Sequence, residues 1–102
     1  MKIRLHAGAR SELKEVLSYL DRQTAGLGDQ FLAEFRHTVE AIAAYPEAAP
    51  VITRGVRQKV MTRFPYVLAY VVQPRAIRIL AISHQRRRPG YWLDRLPPQS
   101  AS

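Results

Sequence analysis

Between Tyr66 and Ser83 almost every position is apolar: YVLAYVV, a break at Gln73-Pro74-Arg75, then AIRILAIS. Strands apolar on both faces are normally central and covered from both sides. Pro74 and the short connection predict an antiparallel hairpin. Upstream, KIRLH alternates, with Ile3 and Leu5 on one side and Lys2, Arg4 and His6 on the other, as a short half-buried strand does. Leu13, Val16, Leu17 and Leu20 then recur at i, i+3, i+4 and i+7, predicting an amphipathic helix from Ala9 to about Gln23 with Ser11 as its cap. Burying those four side chains is worth about 1.5–3 kcal/mol each, an upper figure that conformational entropy largely offsets. TAGLG (24–28) ends that helix, Asp29 is placed to cap the next, and Phe31, Leu32, Phe35, Val39, Ile42 and Ala43 form its stripe up to Tyr45-Pro46. Residues 46–55, PEAAPVITRG, read as a loop. Val56, Gln58 and Val60 alternate with Arg57, Lys59 and Met61 as a strand.

The pattern predicts an α+β fold of order β-α-α-β-β-β. An N-terminal strand precedes an αα-hairpin packed on one face of a small antiparallel sheet, and a three-strand meander follows. Residues 1–96 are expected to form one domain and residues 97–102 a frayed tail. A helical hairpin covers one face of such a sheet. For the other face the chain has only Tyr91–Leu96 left. Either that segment suffices, or an apolar groove around Val67 and Val71 stays open for a partner.

Composition narrows the class. At 47% hydrophobic and 24% charged residues the chain is an ordinary globular one. It has no cysteine, hence no disulfide framework and no thiolate metal site. MKIRLHAGAR lacks the apolar region of a signal peptide, and no apolar run approaches the roughly 20 residues of a spanning helix. A soluble cytoplasmic protein without a membrane partner is expected. Charge changes the picture more. Residues 1–50 hold six Lys/Arg against seven Asp/Glu, a net of −1, while residues 51–102 hold ten against Asp94 alone, a net of +9. Nine of those ten cations are arginine, the side chain suited to bidentate phosphate and carboxylate recognition.

No phosphate loop, metal-ligating pair or nucleophile elbow is present, and no cofactor or metal is expected. His37 lies opposite the apolar stripe of the second helix and reads as a surface histidine. What remains is His84 at the end of the last strand, followed by Gln85-Arg86-Arg87-Arg88. Metal-free RNA cleavage needs a base, an acid and cations around the phosphorane. His84 suits either proton-transfer role, and Arg57, Lys59, Arg63 and Arg86 suit the third. The same groups equally suit an acidic partner. Arg86, Arg87 and Arg88 beside Tyr91 and Trp92 also resemble a surface that pairs phosphates and stacks bases, although Trp92 after Pro89-Gly90 is more readily a core plug closing the open end of the sheet.

Over nearly its whole length the sequence resembles the RelE/ParE superfamily of toxins from bacterial type II toxin–antitoxin modules. The resemblance rests on the element order, the Pro46 helix end, and FPYVLAYVV followed by AIRILAISHQRRRPGYW. Its specific parts are the aromatic-Pro-Tyr start of the third strand and the His-x-Arg-Arg-x-Pro end of the last. It implies a cognate antitoxin, small, with an acidic or amphipathic segment that wraps the toxin. It also implies one of two targets: the ribosome and its mRNA for RelE-like endoribonucleases, or DNA gyrase for ParE-like inhibitors. In the RelE-like case Arg57, Lys59, Arg63, His84 and Arg86 would be the basic and acid–base groups, with Tyr91 as the late tyrosine. In either case Arg57, Lys59, Arg63, Arg86–Arg88, Tyr91, Trp92, Val67 and Val71 would grip target or antitoxin. Two full-length helices and an arginine-rich C-terminal end favour the ParE-like branch.

Overall fold

The computed structural model describes residues 1–97. Strand β1 (Lys2–Leu5) leads into α1 (Ala7–Gln23) and α2 (Leu27–Ala44), and then come β2 (Val51–Thr53), β3 (Val56–Val60), β4 (Tyr66–Val72) and β5 (Ala76–His84). One five-stranded sheet has the order β1-β5-β4-β3-β2. The expected α+β arrangement is present, with the hairpin of helices on one face. Two features go beyond the expectation. β1 runs parallel to β5, in register from Lys2↔Ala76 to Leu5↔Ile79, because the αα-hairpin returns the chain across the sheet. The segment read as a loop contains β2, an edge strand antiparallel to β3. Arg54 (φ 46°) and Gly55 (φ 77°) both take positive φ, the requirement of a two-residue turn matched to strand twist. Arg-Gly signals such a turn more weakly than Asn-Gly does, which is why β2 escaped the pattern.

Both helix caps differ from those predicted. α1 starts at Ala7, and its cap is the His6 imidazole, whose Nδ1 accepts the Gly8 N–H at 2.9 Å. Ser11 lies inside the helix. For α2 the cap comes from the other helix: the Asp21 carboxylate accepts the Gly28 N–H at 2.8 Å. A Cβ on Gly28 would lie 2.7 Å from that carboxylate, so glycine is what lets the two helices meet there.

The sheet separates two apolar layers. On the helix side, Leu20, Phe31, Phe35 and Ile42 pack against Leu68, Tyr70, Ile77, Ile79 and Ile82, with Ile3 and Leu5 at the margin. On the other side, Val56, Ala69, Val71, Leu80 and Ala81 lie under Trp92, which is 1% exposed, with Tyr91, Leu93 and Leu96 around it. A bulge helps. Ala69 pairs with Ala81 but Tyr70 with Ile79, so Leu80 is an extra residue, and Leu80 and Ala81 both join the tail-side layer. Of the two alternatives for this face, the first holds and the groove is filled: the chain's own segment after Gly90 turns through a short 3₁₀ helix (Leu93–Arg95) and covers it. Pro97 is half-buried, and the rest of the tail expected to fray lies outside the described residues.

Glu12 holds this segment in place. β1 ends at Leu5, and the last backbone bond it extends to β5 is from the His6 N–H to the Ile79 carbonyl, at 2.9 Å. Past that point side chains take over. Arg95 Nη1 donates to the Leu80 carbonyl at 2.9 Å and to Glu12 Oε1 at 3.0 Å, and the same Oε1 accepts the Ile82 N–H at 3.0 Å. The Tyr91 hydroxyl donates to Oε2 at 2.7 Å. Glu12 is 9% exposed, so its charge is tolerated only because both oxygens are bonded and a guanidinium lies beside it. Arg95 reaches the site over Gly8, where a Cβ would come within 2.5 Å of the guanidinium carbon.

Two stability predictions follow from this packing. Trp92→Ala removes the plug of the tail-side layer and should cost about 3–5 kcal/mol in urea-unfolding free energy. Glu12→Ala strands the Arg95 guanidinium and the Ile82 N–H, and should cost about 3–5 kcal/mol in the same assay. The double variant Glu12→Ala/Arg95→Ala should be far less destabilised than the sum of the single variants.

Candidate functional site

At the C-terminal end of β5 the helix-side layer reaches the surface through a row of rings. Phe64 packs edge-on to Phe31 (centroids 5.1 Å apart), Phe31 to Tyr66 (5.2 Å), and Tyr66 to His84 (5.4 Å). His84 pairs with Tyr66 across the β4–β5 ladder, and its Nδ1 accepts the Arg86 N–H at 3.1 Å. The imidazole is half-buried, and local backbone geometry rather than a carboxylate orients it.

The cations expected around it are dispersed. Arg57 pairs with Tyr70, four residues along β4 from Tyr66, a separation of about 13 Å, and it lies one strand further across. Its Nη1 donates to the Glu47 carbonyl at 2.8 Å and the Ala49 carbonyl at 2.6 Å, while the Tyr70 hydroxyl donates to the Pro46 carbonyl at 2.7 Å. Together they pin the segment after α2 to the sheet. Arg57 thus stands at the opposite end of the sheet from His84, held by neutral carbonyl oxygens. Lys59 and Arg63 do come together, in an open hollow of about 360 Å³ against α2 that Glu34, His37, Thr38 and Ala41 also line. The His37 side chain is 80% exposed and lies 3.7 Å from Glu40.

The arginines after His84 divide. Arg86 and Arg88 are exposed. Arg87 lays its guanidinium over the Tyr91 ring at 3.6 Å, with Arg95 5.2 Å from the same ring centroid. Burial first, and the hydrogen bond and charge of Glu12 next, push the Tyr91 hydroxyl up to about 12. A phenol held that far above neutrality, its O–H donated to a carboxylate, is a poor acid or base at physiological pH. Trp92, Val67 and Val71, expected at a binding surface, are 1%, 6% and 8% exposed and belong to the interior. Glu12 and Arg95 stand outside the residues that the sequence pattern singles out. A signal for Glu12 was present: positions 12, 16 and 20 lie one above another on α1, so a carboxylate stood on the apolar stripe.

Among the described residues no three His, Asp or Glu side chains group as metal ligands, and no helix is long and apolar enough to cross a membrane. A family model described as the ParE toxin of the type II toxin–antitoxin system parDE matches residues 3–89. A solved structure of a chromosomal ParDE toxin–antitoxin system from P. aeruginosa superposes with a TM-score of 0.63 at 19% identity, covering 82% of this chain and 95% of that one. No curated protein matches in sequence. The structural likeness bears on the fold, and the family match spans the sheet, both helices and the basic turn after β5. This chain belongs to the ParE toxin family of type II toxin–antitoxin systems, and its partner is a cognate antitoxin.

Proposed function

We propose that this toxin works by binding, as a cytoplasmic inhibitor of DNA gyrase that its antitoxin neutralises, and not as a ribosome-dependent endoribonuclease. The dispersal of the candidate acid–base groups carries this reading. Arg57 is anchored to the loop after α2, about 13 Å along the sheet from the level of His84, and the Tyr91 hydroxyl is committed to a hydrogen bond it donates to Glu12. A metal-free ribonuclease needs acid, base and phosphorane-stabilising cations within hydrogen-bond reach of one phosphate. Membership of the ParE family supports the gyrase target. Under this reading the arginines that reach solvent, Arg86 and Arg88 foremost, grip target or antitoxin rather than a transition state.

Expression without antitoxin should arrest growth and induce the DNA-damage response with cellular mRNA left intact. His84→Ala should keep that toxicity, since the histidine closes a row of rings and moves no proton. Cut mRNA in arrested cells, or loss of toxicity in a folded His84→Ala protein, would restore the nuclease reading.

The tyrosine chemistry gives an independent check. Because the folded state holds the Tyr91 proton to about pH 12 while the unfolded chain loses it near pH 10, the associated stability is complete below pH 10 and lost as pH rises through 12. Unfolding free energies between pH 9 and 12 should therefore fall less steeply in Tyr91→Phe than in the wild type. Equal slopes would mean that Tyr91 is not bonded to Glu12 as described.

A further inference from the structure

Charge is sorted by layer in this molecule. Of its eight carboxylates, Glu12, Glu15, Asp21, Asp29, Glu34 and Glu40 are on the two helices and Glu47 is in the segment after α2, leaving Asp94 alone beyond the sheet. On the tail-side face, Arg78 of β5 lies across from Val71 on one side and in register with Arg4 of β1 on the other. Lys2 is two residues from Arg4 on the same face. Two guanidiniums thus stand on adjacent strands, about 4.8 Å apart at the backbone, a like-charge pairing that costs stability. None of the three cations belongs to an ion pair among the described residues. The Arg78 Nε is enclosed by protein and has no hydrogen-bond partner among the described residues, although the residue itself is only half-buried.

We propose that Lys2, Arg4 and Arg78 form a binding site for the phosphodiester backbone of duplex DNA, on the β1–β5 edge and remote from the Arg86–Arg88 turn. An oxyanion between Arg4 and Arg78 relieves their repulsion and accepts from guanidinium N–H groups other than the enclosed Arg78 Nε. Lys2 and Arg4 continue the site along the strand by about 6.6 Å, which suits a chain of phosphates better than one small anion. An acidic peptide would also want apolar anchors between its charges. Here the neighbouring apolar surface is already occupied by Tyr91, Trp92, Leu93 and Leu96. The site makes no contact with base edges, so it contributes affinity without sequence preference. It is independent of the gyrase assignment, because it is measured with toxin and DNA alone.

The test is fluorescence anisotropy of the full chain with a labelled 20-bp duplex of arbitrary sequence across 50–200 mM salt. Each phosphate contact contributes about 0.9 to the slope of log K against log salt. Arg4→Gln/Arg78→Gln should therefore lower the slope by about 1.8, and Lys2→Gln/Arg4→Gln, confined to exposed side chains, by the same amount. Arg86→Gln/Arg88→Gln should leave it within error of the wild type, and a duplex RNA of equal length should show the same losses. The proposal is overturned if the folded Lys2→Gln/Arg4→Gln protein keeps the wild-type slope. It is equally overturned if the loss appears only in the Arg86/Arg88 variant, or if poly-glutamate binds this edge and DNA does not.

Discussion

Beyond Leu5 there is no β1, yet β5 continues for five more residues with outward-facing backbone groups that need partners. Glu12 and Arg95 stand where the missing strand would be, one accepting from the Ile82 N–H and the other donating to the Leu80 carbonyl. An unpaired buried N–H or C=O costs about 1–3 kcal/mol, so this edge could not be closed by apolar side chains alone. The carboxylate reaches it from α1 and the guanidinium from the C-terminal segment. One contact therefore fastens both layers to the central strand. The bulge at Leu80 belongs to the same solution, because it turns Leu80 and Ala81 together toward the segment that Glu12 secures.

With that contact in place the rest of the molecule follows. Tyr91 is carried to the second oxygen of Glu12, Trp92 comes down on Ala69, Val71 and Leu80, and a face that the helices cannot reach becomes interior. Most of its aromatic residues pack, Phe31, Phe64 and Tyr66 on the helix side and Tyr91 and Trp92 on the other, while Tyr19 and Tyr45 stay exposed. Surface charge is sorted, with most carboxylates on the helix layer and cations on the β1–β5 edge and the turn after β5, where among the described residues Arg87 alone approaches a carboxylate, Glu12 at 3.9 Å.

Much of this was legible in the residues. Period-3.6 stripes placed both helices, and the unbroken apolar run of β4 and β5 marked them as central, since those features come from burial itself. The parallel pairing of β1 was hidden, because alternation tells which face is buried and nothing about which neighbour a strand takes. β2 was hidden because Val51–Thr53 is exposed throughout and leans on an Arg-Gly turn. The site was read less well than the fold. Basic residues of one type look alike in a sequence, and only the register shows that Arg57 serves the loop after α2, Arg87 a tyrosine ring, and that the Arg78 Nε meets no acceptor among the described residues. A carboxylate on the α1 stripe was the informative anomaly. Its partners are 70 to 83 residues away, too far for any local pattern to reveal.

The central claim is that this fold inhibits by occupying a target and carries no assembled acid–base site. DNA supercoiling by purified gyrase, measured beside cleavage of ribosome-bound mRNA with the same toxin preparation, tests it most directly. The account predicts that supercoiling falls with rising toxin, that added antitoxin reverses the loss, and that the mRNA stays whole. Undiminished supercoiling together with codon-spaced mRNA cuts would contradict it.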